Sequence, residues 1–250
     1  MVASANTRPN HSIEGTSSGL PPPSAPHVKR VIRKEEHMKD APMYHDGSRE
    51  LQDRFGTRRL ADRLVQVTAR EAFTDADRAF IESRPLFFLA TADTDGRPDC
   101  SYKGGLPGFV RVVDPSTVAF PSYDGNGMFK SLGNILVNPH VGMLFIDFES
   151  PKRLRVNGRA TLHDEDMLLS EFVGAQLIVR VRAEAIFPNC PRYIHKMRVV
   201  EHSPYVPREG HTPPVPEWKQ RQEYREVLPP ADPAGVPPDK PCLRRDTPHG

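Results

Sequence analysis

The chain has 250 residues, 37% of them hydrophobic, and its 34 basic and 32 acidic residues leave a formal charge of +2. That balance offers no overall field to draw nucleic acid, and no stretch approaches the ~20 uninterrupted apolar residues of a membrane-spanning helix. Three cysteines (Cys100, Cys190 and Cys242) without a CxxC pair argue against a disulfide framework or a closed zinc site and fit a reducing cytoplasm.

The 27 prolines are unevenly placed, with six in residues 1–45, twelve in 204–250 and nine between. Residues 1–43 carry Pro21-Pro22-Pro23 and few large apolar groups, a composition that cannot offset its ordering entropy, so a disordered N-terminal arm is expected. No basic stretch followed by an apolar one opens the chain, so no secretory leader is expected. Residues 44–203 form the expected globular domain, and 204–250 a proline-rich, disordered C-terminal tail.

Leu51, Phe55, Leu60, Leu64 and Val67 follow a helical stripe from an N-cap expected at Ser48, with Gly56 placed to split it. Thr74-x-x-Asp77 resembles a capping box and predicts a second helix ending before Pro85, with Phe80 and Ile81 toward the core. Leu86–Ala92 is a short apolar run closed by the turn Asp93-Thr94-Asp95-Gly96, and Asp99–Lys103 should return beside it as a hairpin. Strands are expected at Phe109–Val113 and Thr117–Phe120. A helix then runs to about Val137 and is stopped by Asn138-Pro139.

Val141–Phe148 is almost wholly apolar, the pattern of a strand covered on both faces. Arg153–Asn157 alternates strictly. A short helix near Asp164–Phe172 precedes a strand at Gln176–Phe187. About seven closely spaced strands with one interrupting helix predict a mainly β, α+β antiparallel barrel rather than βαβ units. Neither GxGxxG nor GxxxxGK[ST] occurs.

Three groups of residues could bind an anion. Asn126-Gly127-Met128-Phe129-Lys130-Ser131 enters a helix from a glycine-rich turn, and a helix start attracts phosphate through unpaired N–H groups and the macrodipole. The bland alternative is that Asn126 caps the helix and Lys130 faces water. Arg153 and Arg155 share a strand face with Asn157, so two guanidinium groups could grip a phosphate or carboxylate; solvated arginines on an edge strand would look the same. Ser101 and Lys103 also share a face, although a lysine at a strand end is often a surface residue. Cys190 and His195 have no further ligands nearby, so no metal site is expected. Cys190 is expected to be a buried small residue. No nucleophile elbow and no paired carboxylates are present, so no catalytic residue is assigned. Glu217–Val227, with Trp218 and Tyr224, could form a short docking helix.

The segments LFFLATADTDGRPDCSYKGG, FPSYDGNGMFKSLGNILVNP, VGMLFIDFESPKRLRVNG and FPNCPRYI, in that order, resemble the pyridoxamine 5′-phosphate oxidase-like FMN-binding split-barrel family over roughly residues 44–200. The resemblance implies a six- to seven-stranded antiparallel split β-barrel with short flanking helices. It also implies a homodimer with FMN at the subunit interface. By position, Ser101 and Lys103 match the strand-two phosphate contacts, Lys130 and Ser131 those at the helix start, and Asn134 a nearby amide position. Arg153 stands at the place of a flavin-facing glutamine. With Asn126 and Arg155 from the residue pattern, the expected cofactor-binding set is Ser101, Lys103, Ser122, Asn126, Lys130, Ser131, Asn134, Arg153 and Arg155.

There are departures from the family pattern. The oxidase has Ser-Arg-Lys where this chain reads Phe129-Lys130-Ser131, one positive charge fewer, and its C-terminal substrate-binding segment has no evident counterpart. Pyridoxamine phosphate is therefore not the expected substrate. An apolar wall for the flavin ring is expected from Phe87, Phe120 or Phe145. The expected function is a cytoplasmic, FMN-dependent oxidoreductase acting on a small molecule, with no membrane or nucleic-acid partner. The alternatives are a flavin carrier or sensor without turnover, or the same barrel using a deazaflavin or haem. Every candidate residue falls in the globular middle, so removal of residues 1–40 and 212–250 is expected to leave flavin binding nearly intact.

Overall fold

The computed structural model describes residues 43–230 together with 232, 234 and 235; the expected arm over 1–43 lies, apart from Met43, outside the described residues. Helix α1 (Asp46–Arg54) and helix α2 (Arg58–Thr68) lead in. Gly56, at φ 65°, breaks the helix between them, since that left-handed backbone suits a residue without a Cβ. The cap differs from expectation: the Ser48 N–H donates to His45 Nδ1 at 3.4 Å, which places Ser48 inside the first turn and makes His45 the cap. The predicted stripe of Leu51, Phe55, Leu60, Leu64 and Val67 is present but exposed, and neither helix buries a residue in the core. At the end of α2, Arg70 exchanges two backbone hydrogen bonds with Ile186.

Helix α3 (Asp75–Glu82) carries the predicted capping box, with the Asp77 N–H donating to Thr74 Oγ1 and the Thr74 N–H donating to Asp77 Oδ2. Ile81 is fully buried and Phe80 packs at the core margin.

Seven strands follow: β1 (Leu86–Ala92), β2 (Pro98–Gly104), β3 (Arg111–Asp114), β4 (Thr117–Tyr123), β5 (His140–Asp147), β6 (Lys152–His163) and β7 (Ala175–Pro188). Helix α4 (Lys130–Val137) joins β4 to β5. All pairings are antiparallel, in the order β2-β1-β5-β6-β7-β4-β3. Three strands lie between β1 and β4 in that order, yet the Phe87 and Phe120 ring centroids are 4.9 Å apart. The sheet must therefore curl until its inner face meets itself. Phe87 also packs on Phe109 and Phe145, and this aromatic cluster is the centre of the core. The edge strands β2 and β3 are not paired with each other, which leaves the barrel split.

Gly158 sits at a register shift where β6 crosses β7, and a Cβ there would lie 2.1 Å from the Arg182 carbonyl oxygen. Only glycine lets the two backbones approach this closely. Strand β5 departs from its expected double coverage. Val141, Met143 and Phe145 are buried, but Gly142, Leu144 and Ile146 are only half-buried on the outer face.

The region after β7 also differs from the expected disordered tail, because its described residues are docked by specific contacts. Pro207 lies against the turn at Gly174, and the Lys219 ammonium is buried between two carboxylates. The helix expected over Glu217–Val227 is broken at extended Arg221 into a 3-10 turn, Glu217–Gln220, and a single-turn helix α5 (Gln222–Arg225). Trp218 packs edge-on against Tyr224. Among the described residues, no helix is long and apolar enough to cross a membrane.

Candidate functional site

Strand register decides which predicted residues can meet. Leu89 pairs with Ser101 and Phe87 with Lys103, and residues directly opposite in an antiparallel pair point the same way. Ser101 and Lys103 therefore lie on the inner face with Leu89 and Phe87, as does Asp99 opposite Thr91. Because β2 is a sheet edge, that face is covered not by another strand but by α4, which the chain needs in order to cross from β4 to β5.

The contact is polar. Ser131 Oγ donates to Asp99 Oδ2 at 3.0 Å and lies 2.9 Å from Ser101 Oγ. A hydroxyl has one proton, so Ser101 supplies the proton between the two serines. Asn134, buried one turn later, donates its amide to Thr91 Oγ1 at 3.0 Å, which fixes α4 on β1. One of its two amide hydrogens is thus spent on the fold. Helix α4 starts without a side-chain cap, from Phe129 at φ 48°. Its first-turn N–H groups are thus left without a side-chain acceptor, at the end where the helix dipole is positive.

Asn126 does not cap α4; its Oδ1 accepts from the Met128 N–H at 3.0 Å within the exposed loop. Lys130 is exposed at the helix start. Lys103 is half-buried, and burial pushes its pKa below the ordinary lysine value while Asp99 partly offsets the shift. A half-desolvated cation beside two hydroxyls and a helix N-terminus is a receptor for an anion. Asp99, on the same face as Ser101 and Lys103 by simple alternation, is the member that sequence reasoning passed over.

Beside this cradle is a cavity of about 390 Å³ whose floor includes Lys103, Ser122, Phe120, Pro121 and Leu132, within the usual size range for a small-molecule site. Tyr123 also lines it, and burial raises its phenol pKa, so the hydroxyl keeps its proton. Of the aromatic residues expected to wall a flavin ring, Phe120 alone reaches the cavity's edge, and its ring, 1% exposed, is packed into the core against Phe87. Phe87 and Phe145 are fully buried in the barrel core, where no ligand can reach them. The opposite wall comes from residues after β7, including His202, Tyr205 and Pro207, which carry no local sequence signal.

Arg153 and Arg155 do not join this group. They pair with Ile146 and Leu144, alternate with buried Leu154 and Val156, and so occupy the outer face of the sheet. The registers Tyr102–Phe88, Phe88–Leu144 and Leu144–Arg155 form one row across that face. The barrel wall separates both arginines from Lys103 and Ser131 within a single chain. Arg153 Nε is buried without a hydrogen-bond partner.

Cys190 is exposed, contrary to expectation, because it lies beyond the end of β7, outside the barrel core. The Arg192 backbone and guanidinium both hydrogen-bond the thiol and lower its pKa, and Arg192 Nε donates to Sγ at 3.1 Å. His195 is exposed as well.

The profile of the pyridoxamine 5′-phosphate oxidase family matches residues 73–204, which takes in all seven strands and α4. No curated protein matches the sequence. Similar solved structures include a provisional pyridoxamine 5′-phosphate oxidase of Lactobacillus delbrueckii, 23% identical with a TM-score of 0.40, covering 48% of this chain and 99% of the other. An FMN-binding protein of Syntrophomonas wolfei is 11% identical with a TM-score of 0.36, covering 56% of this chain and 96% of the other. The haem storage protein HutZ of Vibrio cholerae is 22% identical with a TM-score of 0.33, covering 44% of this chain and 90% of the other.

Proposed function

The chain belongs to the pyridoxamine 5′-phosphate oxidase family, and from that premise we propose that it is an FMN-dependent oxidoreductase acting on a small molecule. The observation that carries this reading is the half-buried Lys103 beside the Ser101–Ser131 pair, at the uncapped start of α4 and opening on the cavity. FMN fits that donor set: its phosphate carries about two negative charges at neutral pH, and Lys103, Lys130, the Ser101 hydroxyl and the first-turn amides can receive them. Asp99 would then hold the Ser131 hydroxyl in place. The phosphate would accept the hydrogen bond that Ser101 now donates to Ser131, by rotation of one hydroxyl.

When bound, FMN supplies the electron and hydride transfer. The chain contributes orientation and polarity. Phe120, Pro121 and Leu132 offer the ring an apolar floor, and protonated Tyr123 is a hydrogen-bond donor at its edge. Arg153 and Arg155 can approach that flavin only from a second copy of the chain, with the outer face of one barrel against the groove of another. The exposed Tyr102 and the half-buried apolar groups Phe88, Leu144 and Ile146 on that face support a homodimer. A cation reaching the ring in this way would stabilise reduced, anionic flavin and raise its potential.

The test is spectroscopic. Full-length protein mixed with FMN should show flavin absorbance near ~450 nm that stays with the protein through gel filtration, and it should be bleached by NAD(P)H or by a candidate substrate under anaerobic conditions. Failure to retain FMN overturns the reading. Retained flavin that no donor reduces leaves a carrier or sensor, and a haem or deazaflavin spectrum would replace FMN with that group.

A further inference from the structure

The barrel makes only one side of the ligand cavity. The other side is a stretch without strand or helix, from Val199 to Pro207, and three attachments seat the tail against the domain. The Met197 N–H donates to the Phe148 carbonyl at 3.0 Å. Pro207 packs over the turn at Gly174, close enough that a Cβ there would meet its ring at 3.0 Å. Farther along, Lys219 donates to Asp124 Oδ2 at 2.7 Å and to Asp232 Oδ2 at 2.6 Å.

The third attachment is unlike a surface ion pair. The Lys219 side chain is 4% exposed and that of Asp232 8%, so the ammonium is committed to its partners, and removing one of the two carboxylates leaves a buried charge with half its compensation. Burial would depress the lysine, but the two carboxylates outweigh it and raise its pKa above the usual value. Hydrogen bonding from Lys219 lowers the pKa of Asp232 in turn. Asp124 directly follows β4, at the head of the loop that leads past Asn126 to the cradle at α4. One buried cation thus ties the tail to the segment that joins the cavity floor to the phosphate cradle.

We propose that residues 199–207 are a wall of the cavity, clasped in place through Lys219, with Lys219 and Asp124 as positioning residues and His202 and Tyr205 as specificity-determining residues for the ring end of the bound ligand. This rests on the flavin reading above and deepens it. The cradle residues recognise the phosphate and the wall encloses the heteroaromatic ring, whose polar edges the imidazole and phenol can meet. The two parts of the site are therefore separable by ligand. Loosening the wall weakens FMN and its phosphate-free counterpart riboflavin by the same factor, whereas cradle changes act on FMN alone.

The experiment uses full-length wild type, Asp124→Asn, Lys219→Met and Asp124→Glu. Dissociation constants for FMN and riboflavin come from flavin fluorescence, and the state of the tail from chymotrypsin cleavage after Tyr205 and Tyr224. Asp124→Asn alters an exposed carboxylate and leaves the fold intact even where Lys219→Met does not. The expected result is faster tail cleavage in the D124N and K219M proteins, with both flavins weakened about tenfold. Asp124→Glu keeps the charge and should bind within about threefold of wild type. A released tail with unchanged affinities overturns the proposal, as does an unreleased tail in both variants or a loss confined to FMN. Wild type that binds neither flavin fails at the earlier step, overturning the flavin reading and this inference with it.

Discussion

Replacing Lys103 with methionine keeps most of the side chain's apolar bulk and removes its charge. In the free protein Lys103 is half-buried with Asp99 as the nearby charge, and burial lowers its pKa. Against a phosphate, the lost interaction is a charge-assisted hydrogen bond worth about 1.5–3 kcal/mol, which is about 10- to 150-fold in affinity. Riboflavin has no phosphate, so its affinity should stay within about threefold of wild type. The pH dependence follows from the direction of the shift. A phosphate restores the ammonium, so the Lys103 pKa rises on binding, and FMN affinity is constant from neutral pH, where the phosphate is doubly charged, up to the Lys103 titration. It then weakens as pH climbs through the depressed value of the free protein, below the ordinary 10.5. Fluorescence titration with both flavins, from neutral to alkaline pH, reads the ratio directly. Equal losses for FMN and riboflavin, or no loss for FMN, would refute the placement of the phosphate beside Lys103.

Other consequences concern the scaffold. Phe87→Ala empties the centre of a four-ring cluster and should lower unfolding stability by about 3–5 kcal/mol in urea titration. Asp166 accepts two hydrogen bonds from Arg180 and one from the Leu168 N–H, and the Arg180 bonds hold its pKa below the ordinary carboxylate value. Its contribution is present above the unfolded value near 3.8 and is lost as pH falls through the depressed folded value. Asp166→Asn should therefore destabilise by about 1.5–3 kcal/mol at pH 7, and the gap from wild type should close in acid. Gly158→Ala forces a Cβ against the Arg182 carbonyl and should lower the melting temperature, whereas Gly125→Ala, which meets nothing within 4 Å, should not.

The strands were legible because their information is local: β1 and β6 announce themselves by apolar runs, alternation and turn residues, and Thr74–Asp77 is a self-contained cap. What failed depended on distant partners. Alternation correctly put Arg153 beside Arg155 and Ser101 beside Lys103, but it cannot say that the two pairs lie on opposite faces of the sheet. That follows only from the pairing of β6 with β5 and of β2 with β1. The stripe from Leu51 to Val67 is amphipathic, yet periodicity does not tell whether a face meets the chain's own core, and here it does not. Phe87, Phe120 and Phe145 look alike in the sequence, and sheet closure buries all three rings, with Phe120 alone at the cavity's edge. Composition assigned the proline-rich tail to disorder. The attachment that contradicts this is a single lysine bonded to an aspartate 95 residues away, for which no local pattern exists. It also revises the deletion expected to be harmless: truncation at residue 212 removes Lys219 and should weaken flavin binding.

Native mass spectrometry of the full-length protein after exposure to equimolar FMN and haem tests the central claim most directly. The account predicts a dimer carrying two FMN molecules, with the FMN-bound species lost in the Lys103→Met, Ser131→Ala double variant. A protein that stays free of FMN, or that takes up haem in its place, would contradict it.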